Sequence, residues 1–193
     1  MIDLPPPSYE QTIEAVVKCD ISHANIRIKY EDYLQSDEVV VSDLGTVTDD
    51  KLRCLRAAVH PFYILTIRNA EQQAAFYDLS QKDDRPRQLT EAREWARSRG
   101  MLDRVPTYDP ERGVDEFSAA LDVACGFKRG GALQPGGGSW VTVRPDVVST
   151  NELTKSSKAL ECLMQMFAAS NAPDKGIKFG FIGNEALAEE KKK

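Results

Sequence analysis

The sequence lacks any hydrophobic run long enough to cross a membrane. Its longest apolar runs, Val39–Val41 and Phe62–Leu65, are far shorter than the roughly 20 residues that span a bilayer. The N-terminus has no basic start followed by an apolar stretch, as a signal peptide would, and residue 2 is Ile where N-myristoylation needs glycine. We therefore expect neither a transmembrane helix, nor secretion, nor a lipid anchor.

Excess positive charge is also missing. The 25 Lys and Arg residues are outnumbered by 30 Asp and Glu residues, which gives a formal net charge of -5. Non-specific nucleic-acid binding needs a broad cationic surface, so we do not expect nucleic acid as a partner. Hydrophobic residues make up 41% and charged residues 28%, which is typical of a folded globular protein.

Cysteines are few and scattered. None of the four has the paired spacing of a zinc site or a redox dithiol. We expect them to be reduced and mostly buried thiols of a cytosolic protein. They are Cys19, Cys54, Cys125 and Cys162.

Catalytic motifs are absent as well. The two histidines, His23 and His60, are isolated, and a lone histidine is more often a surface or core residue than a base or a ligand. The sequence has no nucleophile elbow, no cysteine-protease signature, no Walker motif and no calcium loop. We therefore expect no enzyme activity, no cofactor and no metal site.

The apolar residues that are present predict an α+β fold. Strands are predicted at 24–30, 38–41, 60–67, 74–79, 140–143 and 177–181, with 60–67 and 74–79 forming an antiparallel hairpin. Helices are predicted at 49–58, 89–99, 114–127 and from about 149–152 to 170, with a shorter helical pattern at 11–17. We expect a flexible Pro-rich arm at 1–12, a single domain at 13–188 and a charged tail at 189–193. The domain would pack one mixed or antiparallel sheet of about six strands against about four helices.

Two further segments have open interpretations. Residues 128–138 contain five glycines and predict a flexible surface loop, or else a loop that contacts a partner or a membrane through Lys128, Arg129 and Leu133. The densest positive region is a basic stretch in which Arg93 and Arg97 are i,i+4 neighbours on a predicted helix, with Glu94 nearby. This stretch forms either an ordinary charged face or a surface for an acidic or phosphate-bearing partner. Its basic residues are Arg85, Arg87, Arg93, Arg97, Arg99 and Arg104.

The most specific motif is Pro6-Pro7-Ser8-Tyr9, a PPxY sequence. Consecutive prolines present a preformed polyproline II surface to the aromatic rings of a WW domain, and the tyrosine fills a neighbouring pocket. Pro6, Pro7 and Tyr9 are therefore the predicted WW-domain binding residues. A single motif binds weakly, so effective recruitment needs several copies on one assembly.

The segment from Leu4 to Glu10 resembles the PPxY late domain near the N-terminus of rhabdovirus matrix proteins. In that family the motif recruits HECT-type ubiquitin ligases, which link the particle to membrane scission. The resemblance covers about ten of the 193 residues. It departs from the family in charge, because rhabdovirus matrix proteins are usually positive with Lys-rich arms, which puts direct binding to anionic lipid in doubt.

This resemblance implies a non-enzymatic viral matrix protein that self-associates, makes peripheral membrane contact and recruits WW-domain ligases for budding. Such a protein would be found in the host cytoplasm, at the inner face of the membrane and in the virion. Two other interpretations stay open: a cytosolic cellular adaptor or ubiquitin-ligase substrate with the same ligand, and an enzyme of an unrecognised family.

Overall fold

The computed structural model describes residues 5–32, 35–148 and 153–181. The chain divides into two compact units, Met1–Arg85 and Pro86–Lys193. Each has its own three-stranded sheet and its own hydrophobic core. The predicted α+β class is confirmed, but the prediction of one sheet with about six strands is wrong. The predicted domain 13–188 covers most of both units, and the predicted tail 189–193 lies outside the described residues.

The first unit contains three strands, two complete helices and the beginning of a third helix. Its strands form a sheet of order β1-β2-β3, in which β1 and β2 are antiparallel and β2 and β3 are parallel. The parallel pair requires a crossover connection, which α2 provides. The elements are α1 (Tyr9–Val17), β1 (Ile26–Glu31), β2 (Ser36–Val41), α2 (Asp49–Val59), β3 (Ile64–Ile67) and the beginning of α3 (Ala70–Ser98).

The core of the first unit lies between this sheet and its helices. Thr48 caps α2 by accepting a hydrogen bond from the Lys51 amide at 3.2 Å. The negative charges of Asp49 and Asp50 in the first turn also interact favourably with the positive end of the helix dipole. The helix then buries every third or fourth residue against the sheet. The most completely buried side chains of this core include Val16, Val39, Val41, Leu44, Leu52 and Leu55.

The predicted hairpin of 60–67 with 74–79 is wrong. Only its first half forms a strand, β3, and residues 74–79 belong to α3, a helix of 29 residues. Asn69 explains where α3 begins, because its side-chain oxygen accepts hydrogen bonds from the amides of Glu71 and Gln72 at 3.0 and 3.2 Å. The helix buries Phe76 and Leu79, which are three residues apart, and this burial outweighs the strand propensity of the aromatic residues.

The second unit contains the other three strands. They form a sheet of order β4-β5-β6, with β4 and β5 antiparallel and β5 and β6 parallel. The helix α6 lies on the chain between β5 and β6. The elements after α3 are α4 (Gly113–Ala124), β4 (Leu133–Pro135), β5 (Trp140–Val143), α5 (Pro145–Val148), α6 (Leu153–Ala169) and β6 (Lys178–Phe181). Its most buried core side chains include Leu121, Leu133, Val141, Val143, Leu163 and Met166.

The glycine-rich segment 128–138 contains a strand that the sequence did not predict. Leu133 to Pro135 form β4, and Leu133 pairs with Val143 of β5. The glycines that follow make the tight turn of this hairpin, where the Gly136 amide donates to the Trp140 carbonyl at 2.9 Å. Gly137 has a φ of +85°, a left-handed conformation that favours glycine. The glycines therefore serve a hairpin turn rather than a structureless loop.

Candidate functional site

The PPxY motif leads directly into α1. Ser8 is the N-cap: its Oγ accepts a hydrogen bond from the Gln11 amide at 3.2 Å, and the Gln11 side chain accepts one from the Ser8 amide at 2.9 Å. This reciprocal capping box satisfies two amides that a helix start would otherwise leave unpaired. The arm predicted for residues 1–12 therefore includes, from Tyr9 onward, the first turn of a helix.

The backbone before the helix is extended. Ser8 has φ -65° and ψ 162°, close to the polyproline II values of about -75° and +145°. Pro5 and Pro6 are exposed to solvent and Pro7 is half-buried. Proline rings fix φ near the same value, so the prolines are compatible with an extended approach to α1.

Tyr9 is held on the surface of the first unit by its hydroxyl. The hydroxyl donates a hydrogen bond to Asp37 Oδ1 on β2 at 2.5 Å, while 45% of the residue stays exposed. This hydrogen bond, more than partial desolvation, raises the pKa of the Tyr9 hydroxyl above its ordinary value. The ring also lies edge-on to the ring of Tyr63, with the centroids 6.3 Å apart.

Tyr63 holds the backbone of the motif as well. Its hydroxyl donates a hydrogen bond to the carbonyl oxygen of Pro7, and Tyr63 itself is buried, with 9% of its surface exposed. The motif is thus docked on its own unit at two points, through the Pro7 carbonyl and the Tyr9 hydroxyl. The faces of Pro5 and Pro6 remain open.

Sequence reasoning found Pro6, Pro7 and Tyr9 but missed the two residues that dock them. Asp37 and Tyr63 lie 28 and 56 positions from their partners, and no local pattern connects such distant residues. The only available indication was the aromatic character of the 60–67 segment, which predicted a strand and not a contact.

The three residues of the alternative site near the glycine-rich segment do not act together. Leu133 is 2% exposed and belongs to the core of the second unit, so its assignment to a partner or membrane contact is wrong. Its amide donates to Asp122 Oδ1 at 3.1 Å, and burial raises the pKa of that carboxyl. Lys128 is exposed, and Arg129 is exposed and forms an ion pair of 2.6 Å with Glu116.

The cysteines are paired, which corrects the expectation of free thiols. Cys19 is bonded to Cys54 in the first unit, and Cys125 is bonded to Cys162 in the second. Each pair joins the end of one helix to another helix, at separations of 35 and 37 residues. Single cysteines so far apart show no motif, so spacing alone could not reveal the pairs.

The histidines lie apart. His23 is in a short 3-10 turn and His60 is the C-cap of α2, and both are exposed. Over the residues that the structure describes, no group of three His, Cys, Asp or Glu side chains is placed to hold a metal ion.

No protein-family model, no curated protein and no solved structure matches this chain. In the described ranges, no helix has both the length and the apolar character needed to cross a bilayer.

Proposed function

We propose that this chain recruits WW-domain proteins, with HECT-type ubiquitin ligases as the partner class, through Pro6, Pro7 and Tyr9. The observation that supports the proposal most is the extended, solvent-exposed backbone of this segment, with Ser8 near polyproline II dihedrals. A ligand that is already extended loses little conformational entropy when it binds an aromatic groove.

Binding requires the motif to leave part of its docked position. The exposed faces of Pro5 and Pro6 are available for a first contact. The tyrosine pocket of a WW domain needs the Tyr9 ring, which must then exchange its contacts with Asp37 and Tyr63 for contacts with the partner. The free energy of these internal contacts is subtracted from the binding free energy, so one copy of the motif binds weakly.

We propose further that the chain is a matrix-like viral structural protein, which self-assembles at the inner face of a membrane and recruits ligases during budding. The late-domain sequence supports this role. An assembly with many copies of a weak ligand gains avidity without any new contact. Because a single copy of the motif binds weakly, effective recruitment favours a self-associating protein over a monomer. A cellular adaptor with the same ligand is the competing proposal.

The ligand is tested by titrating the intact chain and a peptide of residues 1–12 against a panel of WW domains. Tyr9→Ala should weaken binding by about 30-fold, as loss of an aromatic hot spot does. Tyr77→Ala is the matched control, because Tyr77 is an exposed tyrosine of the same unit, at 57%, and should leave affinity unchanged. Equal affinity of the Tyr9→Ala variant and the unchanged chain would refute the proposal that the motif binds WW domains.

The structural role is tested separately by sedimentation of the intact chain over a range of concentrations and by vesicle release from cells that express it. A matrix-like protein should form concentration-dependent oligomers and promote release that falls with Tyr9→Ala. A chain that binds WW domains but stays monomeric and releases no vesicles would be an adaptor.

A further inference from the structure

Two arginines on consecutive turns of α3 line a cleft in the second unit. The cleft has a volume of about 380 Å³, and Arg93 and Arg97 are among its lining residues. The described lining residues include the hydroxyl-bearing Thr107 and no Asp or Glu. Two positive charges thus share a concave surface with no negative charge in its wall, although the whole chain is acidic.

Among the described residues, the guanidinium groups of Arg93 and Arg97 form no ion pair and no hydrogen bond. Other exposed arginines of this unit do: Arg87 pairs with Glu91 at 3.1 Å and Arg112 pairs with Glu116 at 3.0 Å, both at i,i+4 spacing. The two cleft arginines therefore keep their donors available for a ligand.

Hydrogen bonds fix the part of the cleft wall that contains Thr107 and Asn171. Asn171 accepts a hydrogen bond from the Tyr108 amide at 2.6 Å and donates one to the Tyr108 carbonyl at 3.0 Å. The Tyr108 ring packs edge-on against Phe117, with 5.7 Å between centroids. These contacts hold the segment that includes Thr107 before any ligand arrives, so little ordering remains for a ligand to induce.

We propose that this cleft binds the phosphate group of a phosphomonoester. Two guanidinium forks supply more planar N–H donors than a single carboxylate can accept, whereas a phosphate dianion has three acceptor oxygens and a matching charge. The Thr107 hydroxyl adds a donor, and Leu102 and Val105 provide an apolar wall for the organic part of the ligand. This site lies in the unit without the PPxY motif and does not depend on WW-domain binding.

A second basic cleft of the same unit does not have these properties. It is lined by Arg99, Arg104 and Lys158, but Glu161 is part of its wall. Arg99 lies over the Trp95 ring at 4.3 Å and 3.6 Å from Glu161. Arg104 already donates to the carbonyl of Ala124 at 2.7 Å. With its arginines engaged internally, this cleft offers an anion less than the Arg93–Arg97 cleft does.

The test is calorimetric titration of the full chain with inorganic phosphate and with phenyl phosphate at about 0.15 M ionic strength. We expect saturable binding of both, and a loss of about 100-fold in the Arg93→Gln/Arg97→Gln variant, because each charged hydrogen-bonding partner contributes about tenfold. The control is Arg112→Gln/Arg129→Gln, which removes the same charge from two arginines that both contact Glu116. This control should bind within about twofold of the unchanged chain, since long-range charge alone is screened.

Absence of saturable binding, or an equal loss in both double variants, would overturn the proposal. Affinity for phenyl phosphate should also fall as the pH drops below about 6, where a phosphomonoester loses its second charge. Binding to phosphatidylcholine vesicles with and without phosphatidic acid tests whether the phosphate group belongs to a lipid headgroup or to a soluble molecule. Arginine-dependent binding to the phosphatidic acid vesicles identifies a lipid headgroup, and arginine-dependent binding to phenyl phosphate alone identifies a soluble ligand.

Discussion

The hydroxyl of Tyr9 donates a hydrogen bond to Asp37 Oδ1 at 2.5 Å, so the predicted ligand tyrosine is engaged by its own unit. The adjacent Pro7 carbonyl is engaged by Tyr63 in the same way. Under the proposed function, a WW domain would compete with these internal contacts for this segment. The strength of those contacts would then set the fraction of molecules that can bind.

Removing the internal contacts should increase WW-domain affinity. The Asp37→Ala/Tyr63→Phe variant loses the acceptor of Tyr9 and the donor to Pro7, two hydrogen bonds worth about 1 kcal/mol each. We expect affinity to rise by up to about 30-fold, toward that of the free 1–12 peptide. Fluorescence titration against one WW domain measures this change.

The control for this experiment is Tyr77→Phe, which removes the hydroxyl of an exposed tyrosine in the same unit. It should leave affinity unchanged. If the double variant binds no more tightly than the Tyr77→Phe chain, the docked contacts do not limit access to the motif.

Glu38 on β2 links all three strands of the first sheet and should make the free energy of unfolding of this unit depend on pH. Its carboxylate accepts a hydrogen bond of 2.5 Å from Thr66 on β3 and pairs at 2.9 Å with Lys29 on β1. The Thr66 hydroxyl, and then Lys29, hold the pKa of Glu38 below its ordinary value. A lowered folded pKa gives stability that is present above the unfolded pKa of about 4.3 and is lost as the pH falls through the folded value.

Glu38→Gln should therefore lower the free energy of unfolding by about 1 kcal/mol at pH 7 and by less at pH 3. Urea titrations at the two pH values measure the difference. Glu31→Gln removes the other carboxylate that contacts Lys29, at 2.6 Å, but one that is more exposed. A loss as large and as pH-dependent in Glu31→Gln would contradict the role assigned to Glu38.

The Cys125–Cys162 bond should stabilise the second unit. It closes a loop with a sequence separation of 37 residues. Loop closure of this length removes about 4 kcal/mol of unfolded-state entropy at 25 °C. In a chain with Cys19→Ala/Cys54→Ala, only this bond remains, and a reductant should lower its unfolding free energy by up to that amount.

Thiol labelling under oxidising conditions is the accompanying check. The Cys19→Ala/Cys54→Ala chain should show no reactive thiol before reduction and two after it. Two reactive thiols in the folded, oxidised chain would show that Cys125 and Cys162 are not bonded. A melting temperature that is independent of reductant would contradict the predicted stabilisation.

Gly136 should not tolerate a side chain. A Cβ at this position would lie 2.6 Å from Thr142 Cγ2 and 3.0 Å from Trp140 Cβ on the neighbouring strand. Gly136→Ala should therefore lower stability by about 1–3 kcal/mol through overpacking. Thermal unfolding followed by tryptophan fluorescence measures the effect. Ser139→Ala, an exposed position of the same turn, should change stability by less than about 0.5 kcal/mol.

Residues 74–79 of α3 show that local sequence patterns are insufficient where burial decides the secondary structure. Strands β1 and β2 and helix α2 follow their predicted ranges closely, because alternation, helical spacing and the Thr48 cap act within a few residues. Residues 74–79 have strand-like composition, but the Asn69 cap and burial of Phe76 and Leu79 place them in a helix.

The sequence by itself determined the PPxY motif, the α+β class and most element positions, since each depends on neighbours along the chain. Only the tertiary structure decided that Asp37 and Tyr63 contact this motif, that the cysteines pair and that Leu133 is buried. It also decided that the strands divide between two sheets and that Arg93 and Arg97 line one cleft. Most of these depend on contacts between residues far apart in sequence, whose pairing is selected by burial and hydrogen-bond satisfaction across the folded unit.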